Sequence, residues 1–478
     1  MGRVIRVAPG TGSALQDALD RASPGDTVEL RAGEHSHRAT IRHGGRPGAP
    51  ITIRGEEGAV LAGTPLPQPP DLFRMGIDAL PSLATWAFLR ILRCGHVVLR
   101  DVAIRSCWPT AVYAEDAWGL AFESCKVEGG SYPFFVRDTR PRTPCARGIV
   151  VRGCNWVQDE RIWKQLDWKR VHHGDHYHLN GALLGTSDVL GDIEFSGNDV
   201  RDAFNALRID ITAGLRDAYP EEVARRNRNI FVHDNRFERI RDNVLEPETW
   251  AWKMHFHRNE VVDGHAPISL DGVGGGYWYF YANRFRFLTR PGSPGQRSRS
   301  GKIVKLAGYP LHPTRRWYFF NNSIHCRSAV FGDGDSFGVP VWNLVAHDNV
   351  VAAGAPRCDD EGDMVCPAAT NAFDIDFRLH GDTSFGGTVT NASSWCSALR
   401  QGGCVEKDVV LLPASEPVFA DAPNGDLSLA IGSPACGTGR ALAVELPDGE
   451  DFAWPAGLNR GAVQERQDRL PVLPMRSV

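Results

Sequence analysis

The sequence lacks the long apolar run that a membrane-spanning helix needs. No stretch approaches the roughly 20 consecutive apolar residues of such a span, and the opening residues, MGRVIRVAPG, contain no apolar core of a signal peptide. Strong net charge is absent too, because 53 basic residues nearly balance 57 acidic ones. We therefore expect no membrane span and no general affinity for nucleic acid or membrane surfaces.

Cysteine pairs with the CxxC spacing of metal ligands are also missing. Among the 11 cysteines, Cys358 and Cys366 bracket DDEGDMV, and Cys396 and Cys404 bracket SALRQGG. A disulfide would close each of these polar loops, and disulfides are typical of exported proteins. We therefore predict two disulfides and an extracellular or periplasmic location.

Sustained helical periodicity is scarce, whereas glycine and proline are plentiful. The 50 glycines and 31 prolines indicate many turns, and short runs of Val, Ile, Phe and Tyr between them indicate short strands. Two segments are helix candidates: residues 12–23, which would cap one end of the fold, and residues 217–228, an insertion. Since 42% of the residues are hydrophobic, the chain can form a sizeable core.

A phrase of the form apolar-x-x-Asn-x-apolar recurs through the middle of the chain. Its six copies, from FSGNDV to AHDNVV, contain Asn198, Asn235, Asn259, Asn283, Asn322 and Asn349. Weaker earlier copies place Asp101, Cys125 and Cys154 at the same position, and we predict that both cysteines are small buried side chains. The intervals of 37, 24, 24, 39 and 27 residues indicate a solenoid with insertions.

These features predict an all-β, right-handed parallel β-helix with an N-terminal capping helix. Because stacked turns lie about 4.8 Å apart, the asparagine amides should hydrogen-bond from turn to turn in a buried ladder. We predict one domain, 1–478. Residues 1–60 would form the cap and first turns, 61–355 the central turns, and 356–478 the last turns, loops and tail.

Both ends of the chain resemble known β-helix proteins. SALQDALDRASPGDTVELRAGEH, followed by APITIRGEEGAVLAG, resembles the opening of many bacterial parallel β-helix proteins, including polysaccharide lyases of the alginate lyase and chondroitinase B type. PVFADAPNGDLSLAIGSPACGTG and GLNRGAVQE resemble the closing segment of this pectate-lyase-like superfamily. The resemblance implies a β-helix that acts on polysaccharides, but a fold alone does not identify a reaction.

A second pattern follows the asparagines: a polar residue comes directly after an apolar residue of the next strand. Aligning FFVRD, YHLNG, LRIDI, NVLEPE, ISLDG, KIVKL and VFGDG gives one column of Arg137, Asn180, Asp210, Glu246, Asp271, Lys305 and Asp333. Because side chains alternate along a strand, we predict that this column points outward. Stacked carboxylates repel one another and raise one another's pKa, so the pattern favours a functional site.

Hydrolysis of glycosidic bonds is the leading functional hypothesis, because a pair of carboxylates can act as general acid and as base or nucleophile. The predicted catalytic residues are Asp210, Glu246 and Asp271. The predicted substrate-binding residues are Arg208, His178, Lys305, Glu248, Asn180 and Arg137. This reaction needs no cofactor, the partner is a polysaccharide or oligosaccharide, and the oligomeric state stays open.

Two other functions remain open. In a polysaccharide lyase, carboxylates would hold Ca²⁺ against a uronate while a lysine or arginine removes a proton. In the lyases named above, a Glu-bearing strand is followed by Lys-Ser, and the next turn contains Arg-His-Gly. In this chain Thr249 and Trp250 follow Glu248, and LDG with Asp271 stands where Arg-His-Gly would fall. Lys305 could substitute for the missing base from another turn. A carbohydrate-binding module or adhesin would need no charged column.

Two further groups of residues lie near the same turns. The histidine-rich run HHGDHYH, residues 172–178, contains possible metal ligands, and whether it binds a metal stays open. The aromatic residues Trp250, Trp252, Tyr277 and Trp278 include core side chains, and one or two exposed rings would suit the faces of sugars.

Overall fold

In a computed structural model the chain forms two compact units, Met1–Arg228 (unit 1) and Asn229–Val478 (unit 2). The structure describes residues 2–63, 80–166, 168–286, 302–306, 311–325, 330–333, 340–352, 357–358, 364–365, 378–391, 406–413, 415–462 and 471–474. The single-domain assignment, with its inner boundaries, stays a prediction.

Short strands separated by turns make up most of unit 1. They are β1 (Val4–Val7), β2 (Thr27–Leu30), β3 (Gly33–His35), β4 (Ala39–Ile41), β5 (Ile51–Gly55), β6 (Ala59–Ala62), β7 (Leu89–Leu92), β8 (Gly95–Arg100), β9 (Ala103–Arg105), β10 (Val112–Glu115), β11 (Trp118–Glu123), β12 (Lys126–Glu128), β13 (Phe134–Arg137), β14 (Arg147–Arg152), β15 (Asn155–Val157), β16 (Leu184–Ser187), β17 (Gly191–Ser196), β18 (Asp199–Ala203) and β19 (Leu207–Asp210).

Unit 2 continues the pattern and ends in short hairpins. Its strands are β20 (Arg228–His233), β21 (Arg236–Ile240), β22 (Leu245–Pro247), β23 (Trp250–His257), β24 (Glu260–Gly264), β25 (Ile268–Ser269), β26 (Gly274–Tyr281), β27 (Arg284–Arg286), β28 (Val304–Leu306), β29 (Trp317–Phe320), β30 (Ser323–His325), β31 (Phe331–Asp333), β32 (Pro340–Trp342), β33 (Leu344–His347), β34 (Val350–Ala352), β35 (Arg357–Cys358), β36 (Met364–Val365), β37 (Arg378–His380), β38 (Ser384–Gly386), β39 (Val389–Thr390), β40 (Val410–Leu411), β41 (Phe419–Asp421), β42 (Asp426–Leu429), β43 (Leu442–Glu445) and β44 (Asp451–Trp454).

Each unit contains three parallel sheets, which we call A, B and C. In unit 1 the strand orders are β1-β2-β5-β8-β11-β14-β17 (A), β3-β6-β9-β12-β15-β18 (B) and β4-β7-β10-β13-β16-β19 (C). In unit 2 they are β20-β23-β26-β29-β33-β38 (A), β21-β24-β27-β30-β34-β39-β40 (B) and β22-β25-β28-β31 (C). The chain visits A, B and C in turn, and the predicted all-β, right-handed parallel β-helix is confirmed.

Helices are short and few among the described residues. They are α1 (Ala14–Asp20), α2 (Leu80–Trp86), α3 (Arg161–Lys164), α4 (Trp168–His172), α5 (Ala213–Ala218) and α6 (Pro220–Val223). Helix α1 lies within the first helix candidate and buries Leu15, Ala18 and Leu19, but its capping role stays a prediction. Within the described part of the chain, no helix has both the length and the apolar character needed to cross a membrane.

The predicted asparagine ladder is present in unit 2. The backbone N–H of Asn259 donates to Oδ1 of Asn283 (3.0 Å), and its Nδ2 donates to the same oxygen (3.2 Å) and to the carbonyl of Val232 (2.9 Å). The same pattern joins Asn283 to Asn322 and Asn322 to Asn349. These asparagines are at most 1% exposed, so the ladder satisfies backbone groups inside the bend.

In unit 1 the ladder position holds cysteine on two turns and then Asn198, whose Oδ1 accepts from the backbone N–H of Cys154 (2.9 Å) and whose Nδ2 donates to the carbonyl of Val151 (3.0 Å). Cys125 and Cys154 are completely buried, as predicted, and the thiol of Cys154 points at the carbonyl of Phe122 (3.4 Å). The prediction for Asp101 is wrong. The backbone N–H of Lys126 bonds to the carbonyl of Val102, so Val102 holds the ladder position one turn earlier.

The described cysteines of the chain, Cys94, Cys107, Cys125, Cys145, Cys154 and Cys436, are all free thiols. The side chains of the two predicted disulfides, Cys358–Cys366 and Cys396–Cys404, lie outside the described residues. The disulfide prediction and the exported location that rested on it therefore stay predictions.

Candidate functional site

The outward face of sheet C in unit 2 carries a lysine–carboxylate cluster. Leu245, Ile268 and Val304 pair in register across β22, β25 and β28, and all three are completely buried. Side chains alternate along a strand, so the next residues, Glu246 and Lys305, face outward. Both are only partly exposed.

Lys305 forms an ion pair with Asp271 at this face. Its Nζ contacts Oδ2 of Asp271, and the two side chains are 25% and 27% exposed. The other oxygen of Asp271, Oδ1, is covered and has no hydrogen-bond partner among the described residues. Asp271 therefore keeps one acceptor available beside the ammonium group.

Two further carboxylates act on the same lysine. Burial lowers the pKa of Lys305, but the negative charges of Asp271, Asp242 and Glu246 outweigh it and raise the pKa above its ordinary value. Lys305 is therefore an ammonium ion at neutral pH. Asp242 is only 4% exposed. The sequence alignment misses it because it lies in the turn before β22 and not on the strand. Its position as an acidic residue just ahead of the aligned strand is the feature by which the sequence could have identified it.

The register of this cluster differs from the aligned column. Lys305 pairs with Ser269, not with Asp271. Leu245 pairs with Ile268, so the next residues of these two strands, Glu246 and Ser269, are level with each other. The alignment of Asp271 with Glu246 is therefore wrong by two residues. The alignment of Asp333 with Lys305 is wrong by one, because Lys305 pairs with Gly332. A shift of two keeps a side chain on the same face of a strand, so Asp271 still points outward and reaches Lys305 diagonally. Counting on from the same register, Glu248 is level with Asp271.

Sheet C of unit 1 holds a separate polar column. Arg137, Ser187 and Asp210 share one level across β13, β16 and β19, and Glu115 of β10 precedes them. Asp210 and Arg137 are partly exposed, as predicted for an outward face.

Arg208 lies two residues before Asp210 and is also partly exposed, level with Gly185. In the same row, the hydroxyl of Tyr113 donates to Glu115 (3.0 Å), and burial raises the pKa of Tyr113 to about 12. Arg137 lowers this pKa, which places its guanidinium beside the Tyr113 hydroxyl.

The placement of His178 and Asn180 in this column is wrong. Gly185 and Ser187 occupy the positions beside Arg208 and Asp210, whereas His178 belongs to a short 3-10 turn, Tyr177–Leu179, and Asn180 follows it. YHLNG lies at the end of the insertion that contains α3 and α4, just before β16 begins, so its resemblance to a strand phrase is accidental. Asn180 is 7% exposed.

The histidine-rich run does not build a metal site among the described residues. Burial, with the positive charges of His176 and Arg161, lowers the pKa of His178 to about 4, so this imidazole is neutral at physiological pH. His172 stacks on Trp168 with ring centroids 4.1 Å apart. These histidines therefore pack as aromatic side chains.

One group of possible metal ligands occurs among the described residues: Asp116, Asp138 and Cys145. Both carboxylates already accept hydrogen bonds from the loop 139–146. Thr139 donates its N–H and hydroxyl to Asp116 (2.7 and 2.9 Å), and the N–H groups of Cys145 and Ala146 donate to Asp138 (2.6 and 2.8 Å). We interpret this group as a loop anchor.

Comparisons with known proteins give structural likenesses only. No family model matches the chain, and no curated protein matches it in sequence. A mannuronic acid-specific polysaccharide family 6 lyase from human gut microbiota has 12% identity and a TM-score of 0.48, with 86% of this chain and 92% of that chain covered.

Two hydrolases are also similar in structure. The GH136 lacto-N-biosidase from Eubacterium ramulus has 10% identity and a TM-score of 0.43 over 86% of this chain and 68% of that chain. The polygalacturonase from Erwinia carotovora ssp. carotovora has 10% identity and a TM-score of 0.37 over 86% and 93%. With likenesses this distant, function has to be argued from this chain's own side chains.

Proposed function

We propose that the protein is a carbohydrate-active enzyme that cleaves glycosidic bonds of a polysaccharide by hydrolysis. The observation that carries this proposal is the Lys305–Asp271 ion pair, with Glu246 and Asp242 around the same ammonium group, on the outward face of sheet C in unit 2. A pair of carboxylates in unequal surroundings is what glycosidase chemistry uses, because one must donate a proton while the other acts ionised.

The surroundings of the two carboxylates suggest their roles. Asp271 contacts the ammonium group of Lys305 through one oxygen, and its other oxygen has no hydrogen-bond partner among the described residues, so we assign it the role of base or nucleophile. Glu246 is the second carboxyl group of this face, and its Oε2 is covered from solvent; we assign it the role of proton donor, for which it has to take up a proton before the reaction. Asp242 is too deeply buried for the reaction and serves to hold Lys305 in place.

The remaining predicted residues are proposed to contact substrate. Asp210, proposed as a further catalytic carboxylate, and the guanidinium groups of Arg208 and Arg137 lie along sheet C of unit 1, where a chain of sugars would find donors and acceptors on successive turns. Glu248 would bind hydroxyl groups beside Asp271. Asn180 is buried, and His178 belongs to the insertion rather than to a strand of sheet C; both placements argue against direct contact with a polymer.

The lyase alternative makes different demands on Lys305. A general base must be unprotonated, but the raised pKa of Lys305 keeps its amine charged. Calcium fits this cluster poorly, because the ammonium ion already occupies the place of a cation against Asp271. We therefore propose hydrolysis without a metal cofactor. An extracellular or periplasmic location would bring such an enzyme to its polymer, and is proposed on that ground.

The test is a polysaccharide panel with two readouts on the same samples. Hydrolysis releases reducing ends without ultraviolet absorbance, whereas β-elimination also creates an unsaturated uronate that absorbs. We expect reducing ends alone. Growth of the absorbance in step with the reducing ends would replace the hydrolase by a lyase, and no cleavage of any polymer would overturn both.

Variants then test the assigned roles. On a substrate that is cleaved, Glu246→Gln and Asp271→Asn should each lower kcat by about 10²–10⁴-fold without unfolding the protein, because general acid–base catalysis supplies gains of that size. Glu128→Gln and Asp451→Asn, which change exposed carboxylates on other strands, are the matched controls. Near-normal turnover in both site variants would contradict the assignment.

A further inference from the structure

A partly exposed tryptophan, Trp250, lies one corner after the strand of sheet C that carries Glu246 in unit 2. Trp250 is the first residue of β23 and follows Glu248 by two residues. In sheet A it pairs with Gly274, which follows Asp271 by three residues. The indole is therefore positioned by the two corners that directly follow Glu248 and Asp271.

Gly274 determines where this indole can lie. A Cβ added to Gly274 would be 2.9 Å from Cε3 and 3.1 Å from Cζ3 of Trp250, closer than carbon atoms approach one another. The six-membered ring of the indole therefore rests on the bare backbone of the next turn. Leu311, which is 39% exposed, has its Cβ 3.6 Å from the same point and widens the apolar surface.

The neighbouring tryptophan has a different role. Trp252 packs edge-on against Tyr277, with ring centroids 4.9 Å apart and an interplanar angle of 82°. It also borders the buried cluster that contains Tyr279 and Trp454. Trp252, although partly exposed, is therefore packed against the core, and its ring is parallel to that of Trp250 with centroids 6.3 Å apart. Of the two rings, Trp250 is the one nearer along the chain to the corners that follow Glu248 and Asp271.

We infer that Trp250 is the platform on which a pyranose ring of the substrate stacks, next to the bond that is cleaved. A pyranose presents C–H groups on one face and hydroxyl groups around its edge, so an indole beside carboxylates matches both. Trp250 then selects polymers of six-membered sugars whose apolar face is free of bulky substituents. That the stacked sugar lies next to the cleaved bond rests on the proposed function, whereas the binding of a sugar ring by Trp250 does not.

Affinity electrophoresis in gels that contain each polysaccharide of the panel tests binding without requiring turnover. Trp250→Ala should bind about 3- to 10-fold more weakly than the unsubstituted protein, the usual range for one aromatic contact, and Trp250→Phe should recover most of the loss. In turnover assays KM should rise by the same factor while kcat changes less than about 2-fold. Gly274→Ala, which displaces the ring, should weaken binding while the tryptophan is still present.

The matched control is Trp86→Ala, because Trp86 is also partly exposed but its ring is covered by the guanidinium of Arg38, 5.4 Å from the centroid. Equal binding by Trp250→Ala and the unsubstituted protein overturns the inference, as does an equal loss in Trp86→Ala. Should Trp250→Ala fail to fold, Trp250→Phe and Gly274→Ala decide the question.

The same gels separate this inference from the proposed function. A protein that binds a polymer, loses binding in Trp250→Ala and never cleaves supports the platform and refutes the enzyme. A protein that cleaves normally with Trp250→Ala refutes the platform alone. Binding of no polysaccharide at all overturns both.

Discussion

At the scale of single residues, the charge balance around Lys305 decides what the outward face of unit 2 can do. One ammonium group contacts Asp271 and feels the charges of Asp242 and Glu246, so its raised pKa reports an excess of negative charge. Like charges this close are unfavourable without a counter-ion. A lysine at this position provides the counter-ion that lets several carboxylates lie close together on a folded protein.

Replacing Lys305 should therefore cost stability. Lys305→Met leaves three carboxylates without their cation, and because both partners of the ion pair are about three-quarters buried we expect a loss of about 1–3 kcal/mol in the free energy of unfolding. Urea denaturation at neutral pH measures it. The exposed Lys126→Met serves as control, and addition of Asp271→Leu should recover part of the loss. Equal stability of Lys305→Met and the parent would contradict the proposed counter-ion role.

At the scale of elements, two kinds of column run from turn to turn. Inside the bend of unit 2, the asparagine ladder satisfies backbone N–H and C=O groups that water cannot reach. On the outer face of sheet A, Tyr279 and Tyr281 stack with neighbouring rings and are covered by the C-terminal strands β43 and β44. The hydroxyl of Tyr279 donates to the carbonyl of Glu445 (2.7 Å), which ties the covering segment to the sheet.

Breaking the ladder at its middle should destabilise unit 2. In Asn259→Leu the N–H groups of Asn235 lose their acceptor and the carbonyl of Val232 loses a donor, a cost of about 1–3 kcal/mol. Asn259→Asp keeps the acceptor for Asn235 but lacks the amide N–H that donates to the carbonyl of Val232, so we expect this variant to lose stability as well. Chemical denaturation followed by tryptophan fluorescence compares the variants. A change below about 0.5 kcal/mol, the size usual for surface substitutions, would refute the structural role of the ladder.

Two histidines in the outer column of sheet A should make unit 2 sensitive to acid. His255 and His257 are completely buried, and none of their four ring nitrogens has a hydrogen-bond partner among the described residues. Burial, with the nearby Lys253 and His233, lowers the pKa of His255 to about 3. Burial, with Arg258 and His233, lowers that of His257 well below its ordinary value, although Asp234 opposes the shift.

The sign of the pH dependence follows from these directions. Below about pH 6.5 a histidine in the unfolded chain binds a proton, whereas the buried ring in the folded protein stays neutral. The free energy of unfolding should therefore fall by about 1.4 kcal/mol per histidine for each unit by which the pH is lowered, until the pKa of the folded state is reached. His255→Phe and His257→Phe should each flatten this slope in denaturation midpoints measured between about pH 7 and 4. His312→Phe, at an exposed position, should not. An unchanged slope in both buried variants would show that acid acts elsewhere.

At the scale of the whole molecule, each unit repeats one simple turn and places its distinctive chemistry in insertions and at the outward face of sheet C. In unit 1 this face carries Arg208 and Asp210, and in unit 2 it carries Asp271 and Lys305. In unit 2 the ammonium group of Lys305 already occupies the place of a cation against Asp271, and in unit 1 the hydrogen bonds of the loop 139–146 occupy the carboxylates of Asp116 and Asp138. We therefore expect the protein as a whole to work without a divalent cation.

Removal of metal tests this expectation with two readouts. Dialysis against EDTA should leave both the rate of polysaccharide cleavage and the unfolding temperature unchanged. Because an ion that binds only the folded protein stabilises it, a rise of the unfolding temperature on adding calcium would reveal a site. Loss of activity in EDTA, restored by calcium, would instead favour the calcium-dependent lyase.

Much of the architecture could be predicted from the sequence because it depends on local patterns. The spacing of Asn235, Asn259 and Asn283 reports the length of a turn, and the apolar residues around each asparagine report which side faces inward. The outward direction of Glu246 and Lys305 follows from the alternation of side chains, which a register error of two residues leaves intact.

The sequence by itself therefore determined the β-helix, the buried ladder and the acidic, lysine-containing face. Only the tertiary structure decided which residues meet: Lys305 with Asp271 and Asp242, Ser187 rather than Asn180 beside Asp210, and Gly274 beneath Trp250. The physical reason is that parallel strand pairing joins residues 21 to 50 positions apart across loops of variable length, so register follows from packing of the whole turn. No local pattern encodes the number of residues that an insertion adds.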